Sequence, residues 1–564
     1  MSETSQMNYD VIISGLGPTG LTLANILGQN GLQVLILERE QTYYGNARAV
    51  YTDDECLRIY QSFGMAEQLN QDMLEDMLIQ MELPDGRLLG QFYDLKRPYG
   101  WAPSNFIYQP YFETKLAEGL SRYPNVHIRR GREMVRFDQD DVGVTVYHVQ
   151  SVASQFTPND PPKEMDQTTE EPARAAYFVA CDGGRSTTRT LLNIPMKGKR
   201  FPNPWLVVDV REKEGEKGLR HVPYFGFICD PECPTVCCVQ PDRHHRFEFM
   251  LMSGQTREYM EDPATIRSYL AKHIDMDKFD ILRSLVYQFN ALIAERWRDR
   301  RVILAGDAAH MTPQFVGQGM NAGVRDAFNL GWKLTAVIKG QAKDALLDSY
   351  QSERYNHVRK MIFMAVLVKN YVSMSNPVWA FGRNLMTRLV MRTPYLKHYI
   401  RRMGFMPQPA YTNRQFFGLP RQWRLGPAAE GRMIPQPSVV GERGRRVLLD
   451  EALGTGFTIV GEQIDPRKYM GEKELAYWHN LGARFVAIYP VGQRPQGNAH
   501  RNVPNGLLEI EDLDCGYTDW IRRHGYGRGS VAVIRPDKFI YALVRATHVN
   551  QVTAQFQRTL GSGQ

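Results

Sequence analysis

Two separated clusters of glycine and acid carry the chain's most specific chemistry. The first, Gly15-Leu16-Gly17-Pro18-Thr19-Gly20, follows an apolar run at residues 9–14 and leads into a helical pattern at residues 21–29. Strand, glycine loop and helix in that order aim a helix N-terminus at a phosphate group. Gly15 permits the tight turn, Gly17 lets backbone approach a pyrophosphate, and Gly20 lets helix and strand pack closely; Pro18 and Thr19 share the loop. A second strand, expected at residues 33–37, ends at Glu38, eighteen residues after Gly20. A carboxylate there accepts hydrogen bonds from ribose hydroxyls and disfavours a 2′-phosphate, so FAD or NAD is expected rather than NADP. Glu38 and the adjacent Arg39 are candidate cofactor-binding residues.

The second cluster lies far downstream. A β-like run at residues 301–305 leads into Gly306-Asp307-Ala308-Ala309-His310, then Pro313, then Gly317-Gln318-Gly319-Met320-Asn321, before a helical pattern at residues 322–338. An aspartate ending a strand can bind the hydroxyls of a ribityl chain. A helix beginning near Asn321 points its positive end at the pyrimidine edge of a flat ring, where a reduced flavin carries negative charge. That electrostatics favours FAD over NAD. Between the clusters, a strand at residues 177–180 runs into Cys181-Asp182-Gly183-Gly184, which reads either as a further cofactor loop or as a capped helix start.

The rest of the chain must position these loops. Its 564 residues predict two or three domains, and 43% hydrophobic with 23% charged residues predicts compact globular structure. A net charge of +7 without a block of like charges argues against nucleic-acid binding. No apolar run reaches membrane-spanning length; the most apolar stretch, residues 361–368, ends at Lys369. Seven cysteines, an odd number, argue against a disulfide scaffold and for a reducing, cytoplasmic setting. Cys229, Cys233, Cys237 and Cys238 match no paired zinc spacing, so no metal is expected and they read as buried strand thiols.

Together, GxGxxG, the CDGG segment and GDAAHMTPQFVGQGMNAG resemble the three signatures of the single-component, aromatic-ring-hydroxylating flavoprotein monooxygenases. NARAVYTDDECLR, VACDGG, HRFEFM and DAFNLGWKL resemble the 3-(3-hydroxyphenyl)propionate hydroxylase group more closely. The resemblance implies an α/β, Rossmann-like FAD-binding fold of the para-hydroxybenzoate-hydroxylase type, with an inserted β-sheet substrate domain and a C-terminal thioredoxin-like domain. It implies that Gly15, Gly17, Gly20, Glu38, Arg48, Gln109 and Asp307 contact FAD. Asp182 and Gly183 would lie near both FAD and the incoming nicotinamide nucleotide, with Pro313, Gly317, Gly319, Met320 and Asn321 against the isoalloxazine. It further implies that NADH or NADPH reduces FAD, that dioxygen adds, and that a flavin hydroperoxide hydroxylates a phenol such as a hydroxyphenylpropionate-like acid.

For the phenol itself the residues are less telling. His310 follows the aspartate motif, and a histidine there fixes the loop more often than it acts as base. Tyr224 and Gln240 lie in the expected covering sheet, and Arg246 suits either a substrate carboxylate or a structural ion pair. The motif order predicts a discontinuous FAD domain at residues 1–200 and 290–375, a covering sheet at 200–290 and a helical or irregular connection at 376–444, with a solvated loop at 151–171. Residues 445–564 follow as the thioredoxin-like unit, with strands at 457–460, 485–489, 531–534 and 539–544 and helices at 472–481, 518–524 and 549–560. It holds only Cys515 and no CxxC pair, so structure or homodimer formation is expected of it, not redox work. Competing readings are a Baeyer–Villiger or polyketide-tailoring oxygenase, a flavin dehydrogenase, and a non-catalytic FAD-binding protein.

Overall fold

The computed structural model describes residues 8–42, 48–93, 95–151, 169–216, 225–411, 428–441, 444–495 and 506–561. Most of the stretch read as a solvated loop, 152–168, lies outside them.

The first apolar run forms strand Tyr9–Ser14 at the middle of an eight-stranded sheet. On one side it pairs in parallel with Val34–Glu38, which pairs with Val126–Arg130; on the other with Glu171–Ala180, which pairs with Val302–Leu304. Ile12, Ile36, Phe178 and Ile303 are completely buried, as expected of parallel strands covered on both faces. Strands Arg132–Gln139 and Val144–Gln150 add an antiparallel excursion beside Glu171–Ala180. The fingerprint helix Pro18–Gln29 packs along helix Gln318–Ile338, so the helices following the two glycine clusters lie against each other. Both begin earlier than their apolar periodicity implies. Pro18 occupies the first turn, where its missing N–H costs nothing, and left-handed Gly317 (φ 62°) caps the second helix, which places Gly319, Met320 and Asn321 in its first turn rather than in a loop.

A seven-stranded sheet covers this unit, in the order Phe279–Tyr287, Trp205–Glu212, His244–Met250, Thr235–Val239, Phe225–Ile228, Ile79–Glu82 and Leu88–Phe92. Its last two strands come from inside residues 1–200, so the covering sheet is wider than the stretch 200–290. They join because Phe225–Ile228 pairs in parallel with Ile79–Glu82, a non-local contact that leaves no periodic signal. Cys237 and Cys238 lie buried within strand Thr235–Val239, and burial pushes both thiols up.

The C-terminal third holds another seven-stranded sheet, ordered Arg446–Leu448, Ser438–Val440, Leu507–Asp512, Arg484–Pro490, Thr458–Glu462, Ser530–Ile534 and Ile540–Arg545. Strand Leu507–Asp512 is hidden in the sequence by three acids, yet Asp512 is buried and accepts the backbone N–H groups of Tyr517 and Thr518. Buried ions join this unit to the helices packed beside the first sheet. Arg58 makes a two-pronged bond to Asp450 at 2.6 and 2.7 Å, and Arg535 bridges Glu353 and Asp537 while Lys333 also donates to Glu353. Burial raises the Glu353 carboxyl, but Arg535 and Lys333 outweigh it and hold it at about 2.

Replacing Arg58 with methionine strands a buried carboxylate. The expected loss is about 3–5 kcal/mol, read as a lowered urea midpoint, and Arg58→Met with Asp450→Leu recovers most of it.

Candidate active site

The three motif loops leave the same edge of the first sheet from three adjacent parallel strands. Gly15 N–H donates to Leu37 O, Cys181 N–H to Ser14 O and Ala305 N–H to Ala180 O, at 2.8–3.0 Å, so the loops start in a locked row. Their contacts are too close for side chains. A Cβ on Gly15 (φ 102°) would lie 2.3 Å from Cys181 O, and one on Gly20 would lie 2.1 Å from Gly15 O. Cβ atoms on Gly306 and Gly323 would stand 2.6 and 2.1 Å from the Thr19 hydroxyl, so the two distant clusters meet at one threonine. Gly17 and Gly183 differ: open space lies where their Cβ atoms would go.

That space belongs to a cavity of about 630 Å³. Gly17, Pro18, Thr19, Arg39, Arg48, Gln109, Asp182, Gly183, Asp307, Gly317, Gly319 and Met320 line it, and Arg246 reaches it from the covering sheet. One Asp182 oxygen accepts from the Thr188 N–H and hydroxyl, while the other is buried without a protein partner. The helix cap itself is Ser186, so Asp182 both braces that turn and keeps an acceptor for a ligand. Burial pushes the Asp182 and Asp307 carboxyls up. Gln109 accepts the N–H groups of Arg48 and Ala49 and fixes that loop. Glu38 stands behind the wall, accepting from Leu16 N–H at 2.7 Å and Glu40 N–H at 2.9 Å, with lone pairs left for a ribose.

Other candidates serve the scaffold. Fully buried His310 lies 2.6 Å from Asp326, which also accepts from Arg354 and from Gly306 N–H. Burial would raise the Asp326 carboxyl, but His310 and Arg354 hold it low. His310 is absent from the wall of this cavity. Asn321 donates to Gly317 O and Gln240 sits at a hairpin turn; with Pro313, neither lines the cavity. Arg246 forms a two-pronged ion pair with Asp209 and donates to Arg48 O at 2.7 Å. Its charge is therefore met by Asp209 on the neighbouring strand. Tyr224 lies outside the described residues.

The arrangement also brings in Arg185, Arg283, Glu248 and Gln314, which the motif reading did not assign. A signal for Glu248 existed in the two-residue alternation of Arg246-Phe247-Glu248-Phe249. Phe247 and Phe249 pack beneath the covering sheet against Met260, Ile266 and Tyr269, which turns Arg246 and Glu248 toward the cavity. Phe225, Phe227, Phe289 and Phe315, with Val236 on the same wall, make the same region a largely aromatic slot.

An open glycine cradle, a buried unpartnered acceptor and a helix N-terminus on one cavity suit a dinucleotide carrying a flat ring. Residues 8–365 match the family model described as "FAD binding domain". The chain belongs to this FAD-binding family. Residues 431–559 match a second model, "HcaD C-terminal domain". The chain is 36% identical over 538 residues to proteins of Shigella sonnei and Escherichia coli named 3-(3-hydroxy-phenyl)propionate/3-hydroxycinnamic acid hydroxylase, covering 95% of this chain and 92% of each relative. Its fold matches the flavin-dependent monooxygenase PieE (TM-score 0.77, 18% identity, 99% and 100% of the two chains covered). It also matches aklavinone-11 hydroxylase (TM-score 0.74, 21% identity, 99% and 100% covered). This family member is an FAD-dependent aromatic-ring monooxygenase.

Gly17→Ala tests the cradle. The added methyl meets no protein atom, so the apo melting temperature should stay within about 2 °C, whereas FAD affinity, followed by quenching of flavin fluorescence, should fall by about tenfold or more.

Proposed function

We propose that this monooxygenase hydroxylates a small phenol carrying a carboxylate side chain, of the hydroxyphenylpropionate or hydroxycinnamate kind, consuming NADH or NADPH and dioxygen. The observation that carries this reading is one cavity shared by the cofactor loops and the aromatic slot of the covering sheet. The names of relatives 36% identical along nearly the whole chain support the substrate class.

When bound, FAD supplies the redox and oxygen-activating chemistry. The chain's own residues do the rest. Gly17, Thr19 and the start of helix Gln318–Ile338 would face phosphate and ring, with Asp182, Asp307, Arg48 and Gln109 as polar partners. Phe225, Phe227, Phe289 and Phe315 orient an aromatic ring and exclude water from it. Arg200 and Arg283 line the same wall and would add positive charge for a carboxylate, Arg283 being shared with Asp209 at 3.9 Å.

The C-terminal unit we read as thioredoxin-like. Thr458–Glu462, helix Glu472–Asn480 and Arg484–Pro490 form a parallel βαβ unit, followed by the antiparallel pair Ser530–Ile534 and Ile540–Arg545 and helix Val549–Leu560. Seven free cysteines support a reducing cytoplasm, and among the described residues no helix is long and apolar enough to cross a membrane. We also expect a homodimer. Helix Pro377–Arg392 offers it an apolar surface, with Trp379 70% and Phe381 71% exposed, and light scattering of the holoenzyme should give two chains per particle.

Hydroxylated phenyl acids should stimulate NAD(P)H oxidation and oxygen uptake, with a product heavier by one oxygen atom in mass spectra. NAD(P)H oxidation without any oxygenated product across the series would overturn the assignment.

A further inference from the structure

We propose that the Glu248 carboxylate accepts the proton of the substrate's phenolic hydroxyl, making Glu248 the base that activates the ring. The inference rests on the phenol reading above and names the residue that serves it.

Three carboxylates stand on the cavity wall among the described residues: Asp182, Asp307 and Glu248. The first two belong to cofactor loops. Glu248 alone stands on the covering sheet, on the inner strand His244–Met250, between Val207 and Val236 of the flanking strands, which line the same cavity. It is 3% exposed. Gln314, on the loop that runs into left-handed Gly317 and the helix Gln318–Ile338, donates its amide N–H to Glu248 Oε2. The carboxylate therefore sits where sheet and cofactor loop meet, beside the slot formed by Phe225, Phe227 and Phe315.

The charges around it leave its proton easy to exchange near neutrality. Burial raises it, Arg246 and the Gln314 hydrogen bond lower it, Asp209 raises it and Arg283 lowers it, with the balance at about 7; the remaining titratable neighbours are the buried thiols of Cys237 and Cys238. Arg246 already pairs with Asp209, so it does not hold Glu248 permanently ionised. A base in that range suits a phenol at physiological pH. In the step, the phenolic O–H bond breaks, its electron pair stays on the oxygen and raises electron density ortho and para, and a carboxylic O–H bond forms on Glu248. The proton returns to the product's oxygen before release.

Because the raised carboxyl ionises above about 7, the base is present at higher pH and lost as pH falls through that value. Wild-type kcat should therefore drop on the acid side of neutrality. Glu248→Gln should keep FAD binding, lower kcat by about 10²-fold or more, raise KM toward the value wild type shows at acid pH, and lose that acid limb. The deficit should shrink for nitrophenols, already ionised at the assay pH.

A readout without turnover uses oxidised holoenzyme and a phenol that ionises only near pH 10. Its affinity, followed by perturbation of the flavin spectrum, should rise about tenfold across neutrality in wild type and stay flat in the variant. If Glu248→Gln does not take up FAD, Glu248→Asp decides, since it keeps a carboxylate and should keep an acid limb at reduced kcat. Wild-type-like kcat and pH profile in either variant, with phenols still hydroxylated, would overturn the role of Glu248 and leave the phenol reading standing. A wild-type enzyme that binds and oxygenates no phenol would overturn both.

Discussion

The molecule is organised around a contact too tight for side chains. Thr19, on the first glycine loop, occupies the space that Gly306 and Gly323 leave free, and a Cβ on either glycine would collide with it. Interiors are packed so closely that such a fit permits one arrangement of the two helices and not a range of them. The parallel strands behind the loops enforce it, because the backbone bonds at Gly15, Cys181 and Ala305 start three distant segments in one row. The cavity, the unpartnered Asp182 oxygen and the helix start at Gln318 all follow from that row.

Buried ions then hold the outer parts to this centre. Arg325 meets Asp53 and Glu55 while Gln318 also donates to Asp53, tying helix Asp54–Ser62 to the helix that starts at the cavity. Glu353, Arg535, Asp537 and Lys333 do the same for the C-terminal sheet. Desolvation makes such clusters weak sources of net stability, but removing one member is costly, so they specify docking more than they strengthen it. His310 belongs to this class of contact through Asp326 and Arg354, which explains a conspicuous histidine beside the second motif with no place on the cavity wall.

The covering sheet divides its labour by strand periodicity. Phe247 and Phe249 bury beneath helices, and Arg246 and Glu248 face the cavity from the same strand. Asp209 meets the arginine, while the glutamate faces aromatic walls and one amide. A charged residue surrounded that way is expensive to bury, and its raised proton affinity is the physical trace of that cost.

Short-range chemistry is what the sequence determined alone. Glycines before a helix, acids at strand ends and a helix start aimed at a ring depend on a few consecutive residues, so the cofactor loops and most strands around them were legible. Asp307, Gly17 and Asp182 do share one cavity, as their types implied. Tertiary structure decided what depends on partners far along the chain. It added strands Ile79–Glu82 and Leu88–Phe92 to the covering sheet, left His310 and Gln240 off the cavity wall, tied Arg246 to Asp209 and turned Glu248 inward. The reason is that a residue's neighbours set its charge and exposure, and strand pairing brings those neighbours from segments whose spacing along the chain carries no record of the contact.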